Sequence, residues 1–368
     1  MNNLAAVILA AGHGTRMHSS MPKVLHSLCG RPMLDHVLEA VEGAEVNQIY
    51  IVTGFKETEV RNFVDKRAIC VTQEKRLGTA HAVLQVAQQL QSFKGDILVT
   101  CGDTPMVKTE TIQRIIKLRR AHHTAATVLT TELENPAGYG RIVRNRDNTI
   151  RKIVEDKDTN IYEMAIKEVN TGIYCFDAEH LFPALEKVDN KNAQQEYYLP
   201  DVIELLYEAD LEVEALVAED SSELLGVNSR RDLATAERCL RDRILDKVMK
   251  EGVTIIDPAV TYIDKQAVIG RDTIVHPFSI ISGESVIGEN CTIGPNAHIQ
   301  ESRIGRSVEI VQAIIRGADI GDEARIGPYA NVLPGAQIAA HQTVQGPDSS
   351  SLNLAHGSWG ESSVPAAG

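Results

Sequence analysis

The first 228 residues alternate short apolar runs with longer stretches of helical spacing. Ala5–Ala10, Gln48–Thr53, Asp96–Cys101 and Ala125–Thr131 read as strands, each a brief run dominated by aliphatic side chains. Pro32–Glu42, Thr79–Gln91 and Thr109–Ala121 lie between them and read as helices. This rhythm predicts an α/β domain whose mostly parallel sheet carries helices on both faces. Ligands of such sheets bind beyond the carboxyl ends of the strands, so the loops after Ala10 and Cys101 are the first candidates for a site. Ser229–Lys250, rich in arginine and glutamate, predicts a helix joining two domains. From about Gly252 the pattern changes, and Ile-Gly recurs at Ile269, Ile287, Ile293, Ile304, Ile320 and Ile326. Many of these spacings are multiples of six, with Thr273, Ser279, Ser285, Cys291 and Ala297 at fixed offsets. A six-residue period predicts a parallel β-helix with one short strand per face and the aliphatic residue inward. Ile299–Arg303 and Ile310–Ile314 break the count and are expected to bulge. The expected organisation is therefore a domain at 1–228, a linker helix at 229–251, a β-helix at 252–344 and a Ser/Gly/Pro-rich tail at 345–368, read as flexible.

Composition narrows the partners. Of 368 residues 43% are hydrophobic, enough to fill two cores. A formal charge of −13 argues against nucleic acid and anionic membranes as general partners, while leaving room for local phosphate binding. The six cysteines form no CxxC pair and read as free thiols in a reducing compartment, the cytoplasm. The apolar start lacks a basic flank and runs into Gly12-His13-Gly14, so it reads as a first strand rather than a signal peptide. No apolar run approaches the ~18 residues of a membrane span.

The segment Leu9-Ala10-Ala11-Gly12-His13-Gly14-Thr15-Arg16-Met17, followed by Pro22-Lys23, carries the strongest chemical signal. Gly12 and Gly14 allow a tight turn that presents backbone N–H groups to an anion. Arg16 and Lys23 add charge-assisted contacts for a polyphosphate. A third glycine is missing at the dinucleotide-fold position, and no Gly-Lys-Ser/Thr follows, which removes the Walker loop. A plain strand-to-helix turn is the remaining alternative, and the cations at these offsets argue against it.

This segment resembles the signature of sugar-phosphate nucleotidyltransferases, and more closely that of the bacterial N-acetylglucosamine-1-phosphate uridyltransferases. There it forms the first half of a bifunctional enzyme whose second half is a left-handed β-helix acetyltransferase. The resemblance runs from residue 4 to about residue 343. It implies a Rossmann-like sheet of the nucleotide-diphospho-sugar transferase type followed by a short left-handed β-helix. It implies that the Leu9–Gly14 segment, with Leu9, Ala10, Ala11, Gly12 and Gly14, meets the nucleotide, and that Arg16 and Lys23 are catalytic. Gln73, Gly78 and Thr79 are implied to bind uridine. An amide can read the uracil edge, and Gly78 would let the base approach closely. Thr79 has a second reading as a helix N-cap, and His81 is expected to be structural. Cys101-Gly102-Asp103 ends a buried strand and is implied, with Asn228, to contact the substrate, although Cys101 departs from the aromatic residue common there in the family. Asp103 and Asn228 are implied to be the only protein ligands of Mg²⁺, with phosphates and water completing an octahedron. Gly140, Glu155 and Asn170 match further family segments and are implied to bind the sugar, a carboxylate and an amide suiting hydroxyl and acetamido groups.

The implied reaction is in-line attack of a sugar 1-phosphate on the α-phosphorus of UTP, giving a UDP-sugar and pyrophosphate. Such a nucleophile is already ionised, so positioning and charge neutralisation carry the catalysis. The acetyltransferase activity is expected to be absent: the later coils with the catalytic His and coenzyme A contacts have no counterpart. Leu333 stands where a sugar-binding Arg is expected, and His341 and His356 lie outside the required context. The β-helix is expected to pack as a homotrimer. Open alternatives are another sugar or nucleotide (glucose 1-phosphate, dTTP), a non-catalytic nucleotide-sugar-binding subunit, and a hexapeptide acyltransferase.

Overall fold

The computed structural model describes residues 3–346, so the tail expected to be flexible lies, from residue 347 on, outside the described residues, as does His356. Two compact units divide within one helix, the first ending at Leu240 and the second starting at Arg241.

The first unit is built on a sheet whose central strand is β1 (Leu4–Leu9). The others are β2 (Gln48–Thr53), β3 (Ile69–Thr72), β4 (Asp96–Cys101), β5 (Ala126–Glu132), β6 (Arg141–Arg144), β7 (Ile150–Val154), β8 (Glu168–Asp177) and β9 (Val213–Val217). Their order across the sheet is β9-β5-β8-β4-β1-β2-β3, with β6 on β8 and β7 on β6. The helices are α1 (Met33–Glu42), α2 (Glu57–Val64), α3 (Thr79–Leu84), α4 (Thr109–His122), α5 (Ala178–Leu185), α6 (Asp201–Glu208) and α7 (Arg230–Lys250). β1 is buried on both faces because its side chains alternate between two cores. Ala5 and Val7 join the layer of α3, α5 and α6, whereas Leu4, Ala6 and Ile8 join that of α1, α2 and α4.

The sheet is mostly parallel, as expected, and β8 is set against it, running antiparallel to β4, β5 and β6. Its register shifts between Asn170 and Ile173, where Gly172 takes a φ of 77°. Such a bulge re-aims the side chains beside it. Helix α3 stops at Leu84 instead of near Gln91. The Gln85 side chain donates from Nε2 to the His81 carbonyl at 2.9 Å, while the Gln85 backbone N–H turns to Ala82 at 3.2 Å. A side chain that takes an i−4 carbonyl offers the backbone a way out of the helix.

In the second unit, three parallel sheets of six, five and five short strands stack coil upon coil from Thr254 to Val344. One residue per strand points inward, among them Val275, Ile281, Ile287 and Ile293, all at most 2% exposed. Thr273, Ser279 and Ser285 are wholly buried at the corners. Their hydroxyls donate to backbone carbonyls of Gly288, His276 and Ser282, at 2.9, 2.8 and 2.7 Å. The bulges expected at 299–303 and 310–314 do not form. Ile287 pairs Ile304 and Ile293 pairs Ile310 in unbroken register. The missing residues are taken from the corners, which keep backbone bonds to the preceding coil, such as Gln312 N–H to Pro295 O at 3.0 Å.

Candidate functional site

The chain leaves β1 through Gly12 and Gly14. Gly14 adopts a left-handed conformation (φ 63°) that starts a 3₁₀ turn at Thr15–Met17. Met17 is 1% exposed and anchors this turn, which lifts Arg16 into solvent. Arg16 forms no ion pair among the described residues. A Cβ at Gly14 would fall 2.8 Å from the Lys23 Cβ, so this glycine makes room for the lysine.

Lys23, in a second 3₁₀ turn (Lys23–Leu25), reaches the carboxyl end of β4. Its ammonium donates to Asp103 Oδ2 and, at 3.1 Å, to Asn228 Oδ1. Both Lys23 and Asp103 side chains are largely buried, at 13% and 18% exposure. The two oxygens thus converge on one cationic point. Their spacing is held by a backbone bond from Val227 N to Asp103 O at 2.9 Å. Asn228 and Ser229 donate their backbone N–H groups to Asp232 Oδ2 at 3.0 and 2.8 Å, and Asp232 N–H donates to Ser229 Oγ at 3.2 Å. This is a capping box at the start of α7, readable as Ser229-x-x-Asp232 but not foreseen as part of the site.

Two connected lobes open here, of about 390 and 460 Å³, with Leu9, Thr79, Cys101 and Asp103 lining both. The larger lobe is walled by Ala10, Ala11, Gly12, Lys23, Gln73 and Gly78. The smaller holds Arg16, Gly140, Glu155, Asn170 and Asn228, and adds Tyr139, Tyr174 and Asp232. Gly14 and Gly102 line neither lobe. Gly102 sits behind the wall, donating its N–H to Leu9 O at 2.9 Å, and a Cβ there would approach Val24 at 3.1 Å.

In the larger lobe, Gln73 is 4% exposed. Its Nε2 donates to the Gly78 carbonyl at 3.0 Å and lies 2.9 Å from His81 Nδ1. Gly78 has a φ of 115°, and a Cβ would stand 2.4 Å from Tyr197 O. The close approach that demands glycine is therefore made by the protein's own backbone. Thr79 is the first residue of α3 and caps nothing; its hydroxyl accepts from Leu199 N–H at 2.9 Å.

In the smaller lobe, the β8 bulge holds Asn170, whose N–H donates to Gly140 O at 2.8 Å. Asn170 Nδ2 donates to the Tyr174 hydroxyl at 2.7 Å, and Gly172 N–H donates to Asn170 Oδ1 at 3.1 Å. Tyr174, buried and stacked on Phe176, was not foreseen; only its apolar strand context is visible in sequence. Burial, then the Asp158 and Asp156 carboxylates, raise the Glu155 carboxyl above its usual range. Burial and the Asp103 carboxylate push the Cys101 thiol up to about 12, so it stays protonated between the lobes.

The arrangement offers an uncommitted cation, a lysine-bridged pair of hard oxygens and two flanking lobes: a place for a polyphosphate between a base and a polar co-substrate. No helix among the described residues is long and apolar enough to cross a membrane, and all six cysteines are free. The family model described as the MobA-like NTP transferase domain matches residues 6–252, and the bacterial transferase hexapeptide model (six repeats) matches residues 266–301. The chain is 48% identical over 333 residues to the bifunctional protein GlmU of Geobacillus thermodenitrificans, covering 90% of this chain and 72% of the relative. It is 43% identical to that of Listeria welshimeri over 341 residues, covering 93% and 75% of the two chains. With that of Pelotomaculum thermopropionicum the identity is 44% over 342 residues, again covering 93% and 75%. The chain thus belongs to the family of the bifunctional protein GlmU, with a nucleotidyltransferase of the MobA-like NTP transferase class as its first unit.

Proposed function

We propose that the chain transfers the uridylyl group of UTP to N-acetylglucosamine 1-phosphate, releasing pyrophosphate. The observation that carries this reading is the convergence of Arg16, Lys23, Asp103 and Asn228 between two lobes, one with Gln73 and the other with Glu155 and Asn170. An oxygen of the sugar phosphate attacks the α-phosphorus, the bond from that phosphorus to the β-bridging oxygen breaks, and pyrophosphate carries the electron pair away. The incoming oxygen is already ionised, so no side chain needs to take a proton. Arg16 grips the β- and γ-phosphates, and Lys23 offsets charge at the reacting centre. Gln73 accepts from the uracil, while Glu155, Asn170 and the Gly140 backbone orient the sugar.

NTP transferases of this kind use a divalent metal, and we take it to be Mg²⁺. Asp103 and Asn228 fit it: a carboxylate and an amide oxygen already face a single ammonium, and both are hard donors. No group of three or more His, Cys, Asp or Glu among the described residues competes as a metal cluster. When bound, the ion supplies charge neutralisation to the phosphates. Six free thiols support a reducing compartment, the cytoplasm. The Leu333 side chain, 62% exposed where an arginine would be needed, supports the further proposal that the chain does not transfer acetyl groups. We also propose assembly as a trimer through the second unit.

The test is pyrophosphate release with a panel of UTP, CTP and dTTP against N-acetylglucosamine 1-phosphate and glucose 1-phosphate, with Mg²⁺. Turnover should be highest for UTP with the N-acetylated sugar. Nucleotide-sugar binding without turnover would favour a sensor. Thiol release from acetyl-coenzyme A with glucosamine 1-phosphate would remove the proposal about acetyl transfer.

A further inference from the structure

The Gln73 amide has two N–H groups, and the structure gives each of them a destination. One donates to the Gly78 carbonyl at 3.0 Å, which can only accept, and the other faces His81 Nδ1 at 2.9 Å. The Gln73 backbone is pinned as well, its N–H donating to Thr53 O at 2.7 Å. With the His81 proton on Nε2, so that Nδ1 keeps its lone pair, turning the amide over would set Oε1 against a carbonyl oxygen and that lone pair together, two acceptor–acceptor contacts in a buried place. Oε1 has no hydrogen-bond partner among the described residues, and Gln73 lines the larger lobe.

We propose that His81 is a specificity-determining positioning residue: it locks the Gln73 amide so that only its carbonyl oxygen reads the base. This rests on the uridylyl-transfer reading above. A fixed acceptor suits a pyrimidine that carries its N–H on the ring nitrogen N3, as uracil does. Cytosine has a lone pair there and carries its N–H groups outside the ring, so the same oxygen cannot serve both without the base sliding. A free amide could turn and donate to the cytosine ring nitrogen, and selection would fade. The environment of His81 supports this role. Burial lowers its pKa and so favours the neutral ring.

The experiment measures kcat/KM for UTP and for CTP, with N-acetylglucosamine 1-phosphate and Mg²⁺, in the wild type, His81→Leu and His81→Asn. Asparagine can place an acceptor oxygen near the Nδ1 position; leucine cannot. The UTP-to-CTP ratio should fall about tenfold or more in His81→Leu, the scale of one mispaired buried polar group, and His81→Asn should recover most of it. A uniform loss from weakened folding would lower both rates together and leave the ratio alone. A ratio within about twofold of wild type in an active His81→Leu enzyme overturns the proposal. If that variant does not fold, His81→Ser, too short to reach Gln73, carries the same expectation. A wild type that releases no pyrophosphate from UTP would instead sink the uridylyl-transfer reading itself.

Discussion

Arg16 stands in solvent because Met17 beneath it is buried, and it reaches no carboxylate among the described residues. A cation held out in this way is available to a ligand whose charge moves during the reaction. Arg16→Ala should lower kcat by about 10²–10³-fold, the cost of one preorganised charge contact. The KM for the sugar phosphate should stay within about threefold, and steady-state rates with near-normal turnover would remove Arg16 from the mechanism. Asp201 poses the opposite problem, a carboxylate placed where charge is unwelcome. Burial first, then Glu204, Glu155, Asp189 and Asp158, raise it to about 7. The folded protein therefore holds a proton that the unfolded chain releases from about pH 4 upward, and stability falls as pH rises through the window from about 4 to about 7. Asp201→Asn should raise Tm more at pH 8 than at pH 5. Thermal melts showing equal gains at both values would contradict the assignment.

Helix α7 begins with a cap that is also part of the site. Asp232 takes two backbone N–H groups, one of them that of Asn228. Asp232→Ala should cost about 1 kcal/mol of stability, as loss of a capping side chain does. It should also raise the Mg²⁺ concentration needed for half-maximal turnover, because Asn228 loses its tether; Asp232→Asn should recover part of both. An unchanged metal requirement in a destabilised variant would confine Asp232 to the helix. The β-helix was legible almost residue by residue, since each hexapeptide settles its own inward and outward positions locally. The parallel strands β1, β2 and β4 were legible for a similar reason, as continuous aliphatic runs. The antiparallel β8 between β4 and β5 was not: its partners lie far away in sequence, and an apolar run does not state its direction. The loop after β1 and the Asp103–Asn228 pair, proposed to meet phosphate and metal, could be located from motif resemblance. The contacts of His81, Asp232 and Tyr174 could not, because each is made to another residue of the candidate site and exists only in the fold. Gly78 shows the same limit: the need for glycine was visible, but its cause, the Tyr197 backbone, was not.

At the scale of the molecule, the outward positions of the β-helix decide how chains associate. Each coil must bury one aliphatic residue per strand, but its neighbour points to solvent and is free to be polar. On two of the three sheets it becomes so along the stack: Arg303 and Asp319 follow Val286 on one, and Glu309 and Arg325 follow Thr292 on another. The remaining sheet keeps Tyr262, Ile280, His298 and Ile314 in register as one uncharged outward row, flanked by Arg316 at the end of its strand and by Arg241 over the Tyr262 ring at 4.6 Å. Tyr262, Ile280 and Ile314 are 44%, 39% and 38% exposed, an aliphatic and aromatic ladder that isolated chains would present to water. Such a face is best covered by copies of itself around a closed symmetry axis. As the trimer proposed above, the chain should sediment at three times its 40.3 kDa mass. The double variant Ile280→Glu and Ile314→Glu should sediment as a monomer, since like charges desolvated in an interface repel. It should still release pyrophosphate at the wild-type rate per chain, because every site residue proposed above lies in the first unit. A wild type of monomer mass would end the trimer proposal, and a charged variant that remains trimeric would move the interface to another face.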